Sequence, residues 1–232
     1  MSYIQPGSAR LEGVYKQSVE ARARFITRTY AHLFLAILAF TGIEFAMFSM
    51  GLAEPIAAVL AGNWLIVLGA FMLVGWLGRR MAYGSGGLGV QYFALGFFVF
   101  AEAIIFLPIL AIARLNYPGA IESAALVTLV GFAGLTAVAF TSRRDFSFLG
   151  GLLKWGAIIA LVAIVASLIF GFQLGVFFSV AMIGLAGAAI LHDTSNVIHH
   201  FPEDRYVGAA LELFASVALM FWYVLRLFMS RD

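Results

Sequence analysis

Apolar and polar positions alternate along this chain in long blocks. A polar stretch of 28 residues is followed by seven apolar runs, at about 29–51, 55–78, 87–111, 119–141, 148–170, 174–198 and 206–228. A bilayer-spanning α-helix takes ~20 mainly apolar residues, so each run predicts one span. Turn residues and charges mark the breaks: Met50-Gly51 and Pro55, Arg79-Arg80 with Gly84-Ser85-Gly86-Gly87, Arg114 with Asn116 and Pro118-Gly119, Ser142-Arg143-Arg144-Asp145, Gly171-Phe172-Gln173, and Phe201-Pro202-Glu203-Asp204-Arg205. These linkers are too short to hold a second fold. The expected architecture is an all-α integral membrane protein: a polar arm over 1–28 and a seven-helix transmembrane domain over 29–232. A six-span version with a re-entrant last segment is the rival topology.

Composition agrees with that reading. Hydrophobic residues make up 63% of the chain, charged residues 11%, and mean hydropathy is +0.99. A soluble domain is about half apolar and a quarter charged, so a soluble enzyme is excluded, as is disorder. The chain has no cysteine, which removes disulfides, thiolate metal sites and cysteine nucleophiles. Residues 1–28 lack an apolar core segment, so no cleaved signal is expected.

The net charge of +2 comes from 14 Lys and Arg against 12 Asp and Glu. Their placement matters more than their sum. With the N-terminus in the cytoplasm, Arg10, Lys16, Arg22, Arg24, Arg28, Arg79, Arg80, Arg143, Arg144, Lys154 and Arg205 all fall inside, and only Arg114, Arg226 and Arg231 fall outside. The positive-inside rule then predicts a cytoplasmic N-terminus and an external C-terminus. Basic residues set beside membrane segments argue against a nucleic-acid partner.

An ionisable group at membrane depth costs at least ~2.5–3.5 kcal/mol and calls for a reason. Glu44, Glu102, Asp193 and Glu212 are four such groups. Asp193 and Glu212 are equidistant from the centre of the last hairpin loop, between Pro202 and Glu203. In an antiparallel hairpin they share a depth of about 8–12 Å below the cytoplasmic surface at helical rise. Facing each other, they would share a proton, because two close carboxylates do not both ionise cheaply in a low dielectric. The alternative is that each caps, snorkels or hydrogen-bonds alone. Glu44 and Glu102 each fall about 22 Å along their helices, in the outer half, with Glu54 and Glu122 near the outer mouth. Carboxylate-lined cavities attract cations, and hard oxygen ligands suit calcium; Glu44 and Glu102 are the candidate cation path. Arg79 or Arg80, at the end of the second run, could bridge to Asp193 or Glu212; either could equally be an ordinary membrane anchor.

Other patterns carry less. Gly84-Ser85-Gly86-Gly87-Leu88-Gly89 fits G-x-G-x-x-G but lies between two spanning helices rather than after a strand, so it reads as a turn. His192, His199 and His200 do not have zinc spacing; they read as interfacial polar groups with a secondary influence on pH response. The last run holds no lysine for a retinal Schiff base, Lys154 lies near a helix start, and no serine and histidine meet at depth as an intramembrane protease requires. Gly131, Gly134, Gly184 and Gly187 permit close helix approach. Pro108 is the one helix break within a run, which argues against a transporter built from paired broken helices. No enzymatic activity and no cofactor are expected.

The stretch Leu191-His192-Asp193-Thr194-Ser195-Asn196-Val197-Ile198 resembles the "DT..I" segment of the Bax inhibitor-1, or transmembrane Bax inhibitor motif, family. Phe140-Thr141-Ser142-Arg143-Arg144-Asp145-Phe146-Ser147 is similar to its "T.r.DFs" segment, and Tyr206-Val207-Gly208-Ala209-Ala210-Leu211-Glu212-Leu213 to its last helix. The resemblance is to bacterial members and covers all seven runs. It implies a seven-helix bundle with the last helix central, in a bacterial inner membrane, and a pH-sensitive calcium leak. It further implies gating by an acidic pair, Asp193 and Glu212, which would also be the calcium ligands, with a latch arginine from the second helix, Arg79 or Arg80. The best-known bacterial pattern has Asp where this chain has Glu212, which puts the pH set point in doubt. Calcium and protons are then the expected partners besides the bilayer. Some bacterial relatives suggest another role, a non-conducting regulator of a membrane protease or of other membrane proteins, with the arm of residues 1–28 as the contact.

Overall fold

The computed structural model describes residues 6–84, 87–142 and 144–230. The side chains of Arg10 and Lys16, together with Arg143, Arg231 and the Ser85-Gly86 step, lie outside the described residues. Eight helices follow in order: α1 (Pro6–Ser49), α2 (Ala53–Ala61), α3 (Trp64–Tyr83), α4 (Leu88–Asn116), α5 (Ala120–Ser142), α6 (Leu149–Phe170), α7 (Val176–His199) and α8 (Tyr206–Met229). No strand occurs among the described residues. Six helices are long and apolar enough to cross a membrane, the first over Val19–Ser49, or seven spans if α2 and α3 count as one. The polar arm is continuous with the first span, because α1 runs through residue 28 without a break.

The run read as one span over 55–78 is two helices bent by 103°. Gly62 and Asn63 cause the break. The Asn63 side-chain amide donates to the Val59 carbonyl at 2.7 Å, closing the end of α2 from beyond its last turn. Asparagine and glycine favour such turns because one bonds nearby backbone and the other tolerates any dihedral. At 1.5 Å per residue, nine-residue α2 is about 14 Å long, too short to cross. The other runs match their helices closely, except that α4 continues past residue 111 to Asn116.

Lipid is as apolar as leucine, so helices in a bilayer associate through close packing and interhelical hydrogen bonds. Among the described residues α8 touches α1, α3, α4, α5 and α7, and α4 touches as many helices: α1, α2, α3, α5 and α8. Phe214 on α8 sits edge-on to Phe40 of α1 and Phe98 of α4, with ring centroids 6.0 and 6.1 Å away. α6 lies at the other extreme. Among the described residues it packs on α7 and on no other helix. That contact needs glycine: a Cβ at Gly156 would come within 2.5 Å of the Leu185 side chain. The tight link from α6 to α7 turns at Gly171, whose φ of 73° is left-handed and suits a residue with no Cβ.

The α7–α8 turn is fixed from several sides. Arg22 of α1 donates to the Phe201 carbonyl at 2.6 Å, and Arg205 donates to the Gly84 carbonyl in the α3–α4 loop. Buried Gln91 of α4 donates to the Asp204 carbonyl at 3.2 Å and accepts from the Gly208 N–H at 3.3 Å. That N–H belongs to the first turn of α8, where no intrahelical partner exists, so a glutamine from another helix supplies the cap.

Candidate functional site

A polar network joins α7 to α8 near the turn between them. Asp193 on α7 is 8% exposed. Its Oδ2 accepts a hydrogen bond from the Ser216 hydroxyl of α8 at 2.5 Å, within the range of charge-assisted bonds. Its Oδ1 lies 3.0 Å from His192 Nδ1, which must donate there. The lone pair left on His192 Nε2 is then free to accept from the Asn196 amide, 3.4 Å away. The imidazole rests against α6 where Gly150 leaves room: a Cβ there would lie 3.0 Å from Nε2. The charges of Asp193, Glu212 and Asp145 all act on His192.

Glu212 is half-buried. Ser216 follows it by one turn on the same face of α8, so Asp193 meets α8 one turn beyond Glu212. Side-chain direction accounts for the offset. Every Cα–Cβ bond in a helix tilts towards that helix's N-terminus. On antiparallel α7 and α8 the Cα–Cβ bonds at equal depth therefore tilt in opposite directions, which lets Asp193 reach Ser216.

A second cluster joins the α5–α6 loop to the end of α7. Asp145 Oδ1 accepts from the Ser147 N–H at 2.8 Å and from the Ser195 hydroxyl at 3.2 Å. Its Oδ2 lies 2.8 Å from His200 Nε2. Ser195 in turn accepts from the Phe146 N–H at 2.9 Å. The Ser147 N–H and then His200 hold the Asp145 carboxyl well below the usual carboxylate range. The sequence reading named Asp145 and Ser195 only within linker and family segments, with no role, and did not single out Ser216. Their partners lie 49, 50 and 23 residues away, beyond the reach of any local spacing rule.

The outer candidates are buried too, Glu44 at 7% and Glu102 at 2% exposure. Both Glu44 oxygens lack a hydrogen-bond partner among the described residues. Ring contacts His32–Tyr92 and Phe40–Phe106 show that α1 and α4 run parallel. The contacts Phe98–Phe214 and Phe106–Phe221 bracket Glu102 level with Ser216 and Val217 on α8. Glu102 thus lies near the depth of the Asp193–Ser216 contact. Arg79 and Arg80 are exposed at the end of α3. Arg80 stacks on Trp76 at 5.0 Å, and among the described residues neither arginine pairs with a carboxylate. No group of three or more His, Asp or Glu side chains among the described residues is arranged to hold a metal ion.

These features define a multi-span helical membrane protein with acids at depth around its last helix. The pattern of the family described as inhibitor of apoptosis-promoting Bax1 matches residues 22–232. The chain belongs to this Bax inhibitor-1 family. It is 32% identical over 208 residues to an uncharacterised Pseudomonas aeruginosa protein, PA2604, covering 88% of this chain and 87% of that one. It is 35% identical over 108 residues to the Escherichia coli modulator of FtsH protease YccA, covering 45% of this chain and 49% of YccA. It is 28% identical over 237 residues to protein LIFEGUARD 4 of Arabidopsis thaliana, covering 97% and 92%.

Proposed function

We propose that this chain is a multi-span regulator in a bacterial inner membrane that modulates a membrane protease, or other membrane proteins, by lateral association. The observation that carries this reading is the likeness to the Escherichia coli modulator of FtsH protease, a protein also described as an inner membrane protein in a second strain. In this reading α2 and α3 form one bent span, seven spans surround or include a central α8, the N-terminus is cytoplasmic and the C-terminus external. The family match and the neighbours of α8 support it. Proteoliposomes holding an FtsH-type protease and a membrane-protein substrate provide the test. Adding this chain should slow proteolysis of that substrate and leave a soluble substrate untouched, and the two proteins should co-purify. Unchanged proteolysis with no co-purification defeats the reading.

A second reading is a pH-sensitive calcium leak gated by Asp193 and Glu212, with Glu44 and Glu102 along the path and Arg79 or Arg80 as the latch. The observation in its favour is the burial of Glu44, Glu102 and Asp193, with Glu212 half-buried beside the Asp193–Ser216 contact. Calcium flux into liposomes between about pH 6 and 8, across histidine's titration range, tests it. Flux unaffected by Asp193→Asn with Glu212→Gln removes it.

A further inference from the structure

We propose that α6 is a swinging cover on α7: it turns about Gly171, is latched before its first turn through Asp145 and Ser195, and uncovers His192 and its partner Asp193 when the latch opens. This inference does not rest on the regulatory role proposed above.

α6 is loosely seated. Among the described residues it packs on α7 alone, whereas each of the other helices meets several. Its seam is made of small residues: Gly150 lies against His192, Gly156 lies against Leu185, and Ala160 is its one buried residue among those described. Small side chains make few dispersion contacts. Acyl chains are as apolar as the residues they would displace, so lipid can fill such a seam at little cost. Packing alone therefore holds α6 weakly.

The two ends are held differently. Before the first turn, the Phe146 N–H donates to the Ser195 hydroxyl at 2.9 Å, and that hydroxyl donates to Asp145 Oδ1 at 3.2 Å. His200 Nε2 lies 2.8 Å from Asp145 Oδ2. One carboxylate and one serine thus fasten the loop before α6 to the end of α7. At the far end, residues 171–175 leave the helix, and Gly171 takes a left-handed φ of 73°. Arg226 of α8 donates to the Leu174 carbonyl at 2.7 Å, which pins the chain just past that point. The freedom to turn is left to Gly171, Phe172 and Gln173. A helix on a shallow seam, hinged at one end and fastened by polar contacts at the other, moves as a lever when the fastening opens.

Its first turn covers a functional candidate. A Cβ at Gly150 would stand 3.0 Å from His192 Nε2, and His192 Nδ1 donates to Asp193 Oδ1 at 3.0 Å. Withdrawing that turn bares the imidazole, the group that binds Asp193 from the α6 side.

The native chain has no cysteine, so introduced pairs carry spin labels without ambiguity. In the full chain in lipid nanodiscs, Leu152→Cys with Phe93→Cys follows the latched end of α6 against α4, and Ile169→Cys with Leu115→Cys follows the hinged end; all four native side chains are exposed. The 22 residues of α6 span about 33 Å at helical rise, so a swing of about 15° carries its first turn ~9 Å. Double electron–electron resonance should show a population displaced by that amount at the latched end in Asp145→Ala and in Ser195→Ala, with the hinged pair unmoved. Ser195→Ala changes no charge, and in it diethyl pyrocarbonate should modify His192 faster, relative to exposed His199, than in the parent chain. A latched pair unmoved in both variants overturns the proposal. So does an equal change at the hinged pair, which would mean that α6 unfolds rather than swings, or a His192 no more reactive than in the parent.

Discussion

Truncating Ser216 probes the contact that ties α7 to α8 at Asp193. The two side chains are 7% and 8% exposed, and the hydroxyl donates to the carboxyl at 2.5 Å. Hydrogen bonds between neutral side chains inside membrane proteins average ~0.6 kcal/mol in double-mutant cycles, with a maximum near ~1.7. Bonds to a charged partner contribute ~1.5–3 kcal/mol. A bond of 2.5 Å to an ionised carboxyl would belong to the second class. A cycle of Ser216→Ala, Asp193→Ala and the double variant, unfolded by SDS in mixed micelles and followed by far-UV circular dichroism, isolates the pair term because shared losses such as the His192 contact cancel. The expected coupling is ~1.5 kcal/mol or more. A coupling near ~0.6 kcal/mol would show a bond without charge assistance, and additive variants would show that Asp193 and Ser216 do not meet.

Three further outcomes follow from named contacts. Glu44→Leu should stabilise the protein by ~1–3 kcal/mol in the same SDS assay, because it removes two buried oxygens with no partner; a loss of stability would show that Glu44 is satisfied. Asp145 lies below the usual carboxylate range, so its contribution to the α5–α6 loop is present above the unfolded value of about 3.9 and is lost as pH falls through the lower folded value. Hydrogen-exchange protection at residues 144–149 should therefore hold from neutral pH down to about pH 4, and Asp145→Ala should remove it throughout. Gly156→Val should cost ~1–3 kcal/mol by forcing α6 off Leu185, whereas Gly134→Ala, with nothing within 4 Å of its Cβ, should be silent.

The helical membrane class was legible because it rests on a one-dimensional property. A run of apolar residues at spanning length has few outcomes in a bilayer, where backbone groups must bond within the segment. That is why α5, α6, α7 and α8 begin and end within two residues of the runs that announced them. The α2–α3 break escaped because average hydropathy is blind to a turn inside an apolar stretch. The signal was present in Gly62-Asn63, a pair with a local bonding reason to end one helix and start another. Depth was legible only to within a turn. Counting residues from the hairpin loop set Asp193 and Glu212 at equal depth, and the structure joins Asp193 to Ser216, one turn beyond Glu212.

The parts of the site that the sequence concealed have one physical cause in common. Ser195, Ser216 and Gln91 are small or neutral polar residues whose importance comes entirely from a partner on another helix. A charged residue at membrane depth advertises itself because it is costly wherever it points. A serine does not, because it can bond its own helix backbone and go unnoticed in lipid. Yet in a bundle held together by close packing, these neutral donors set the register between helices: Ser216 fixes α8 against Asp193, Ser195 fixes the α5–α6 loop against α7, and Gln91 fixes the start of α8. Sliding of α8 along α7, or of the α5–α6 loop along α7, would break or shift one of these contacts. That makes Ser195→Ala the variant that separates the two motions: it should free the loop to exchange while leaving the Asp193–Ser216 coupling unchanged.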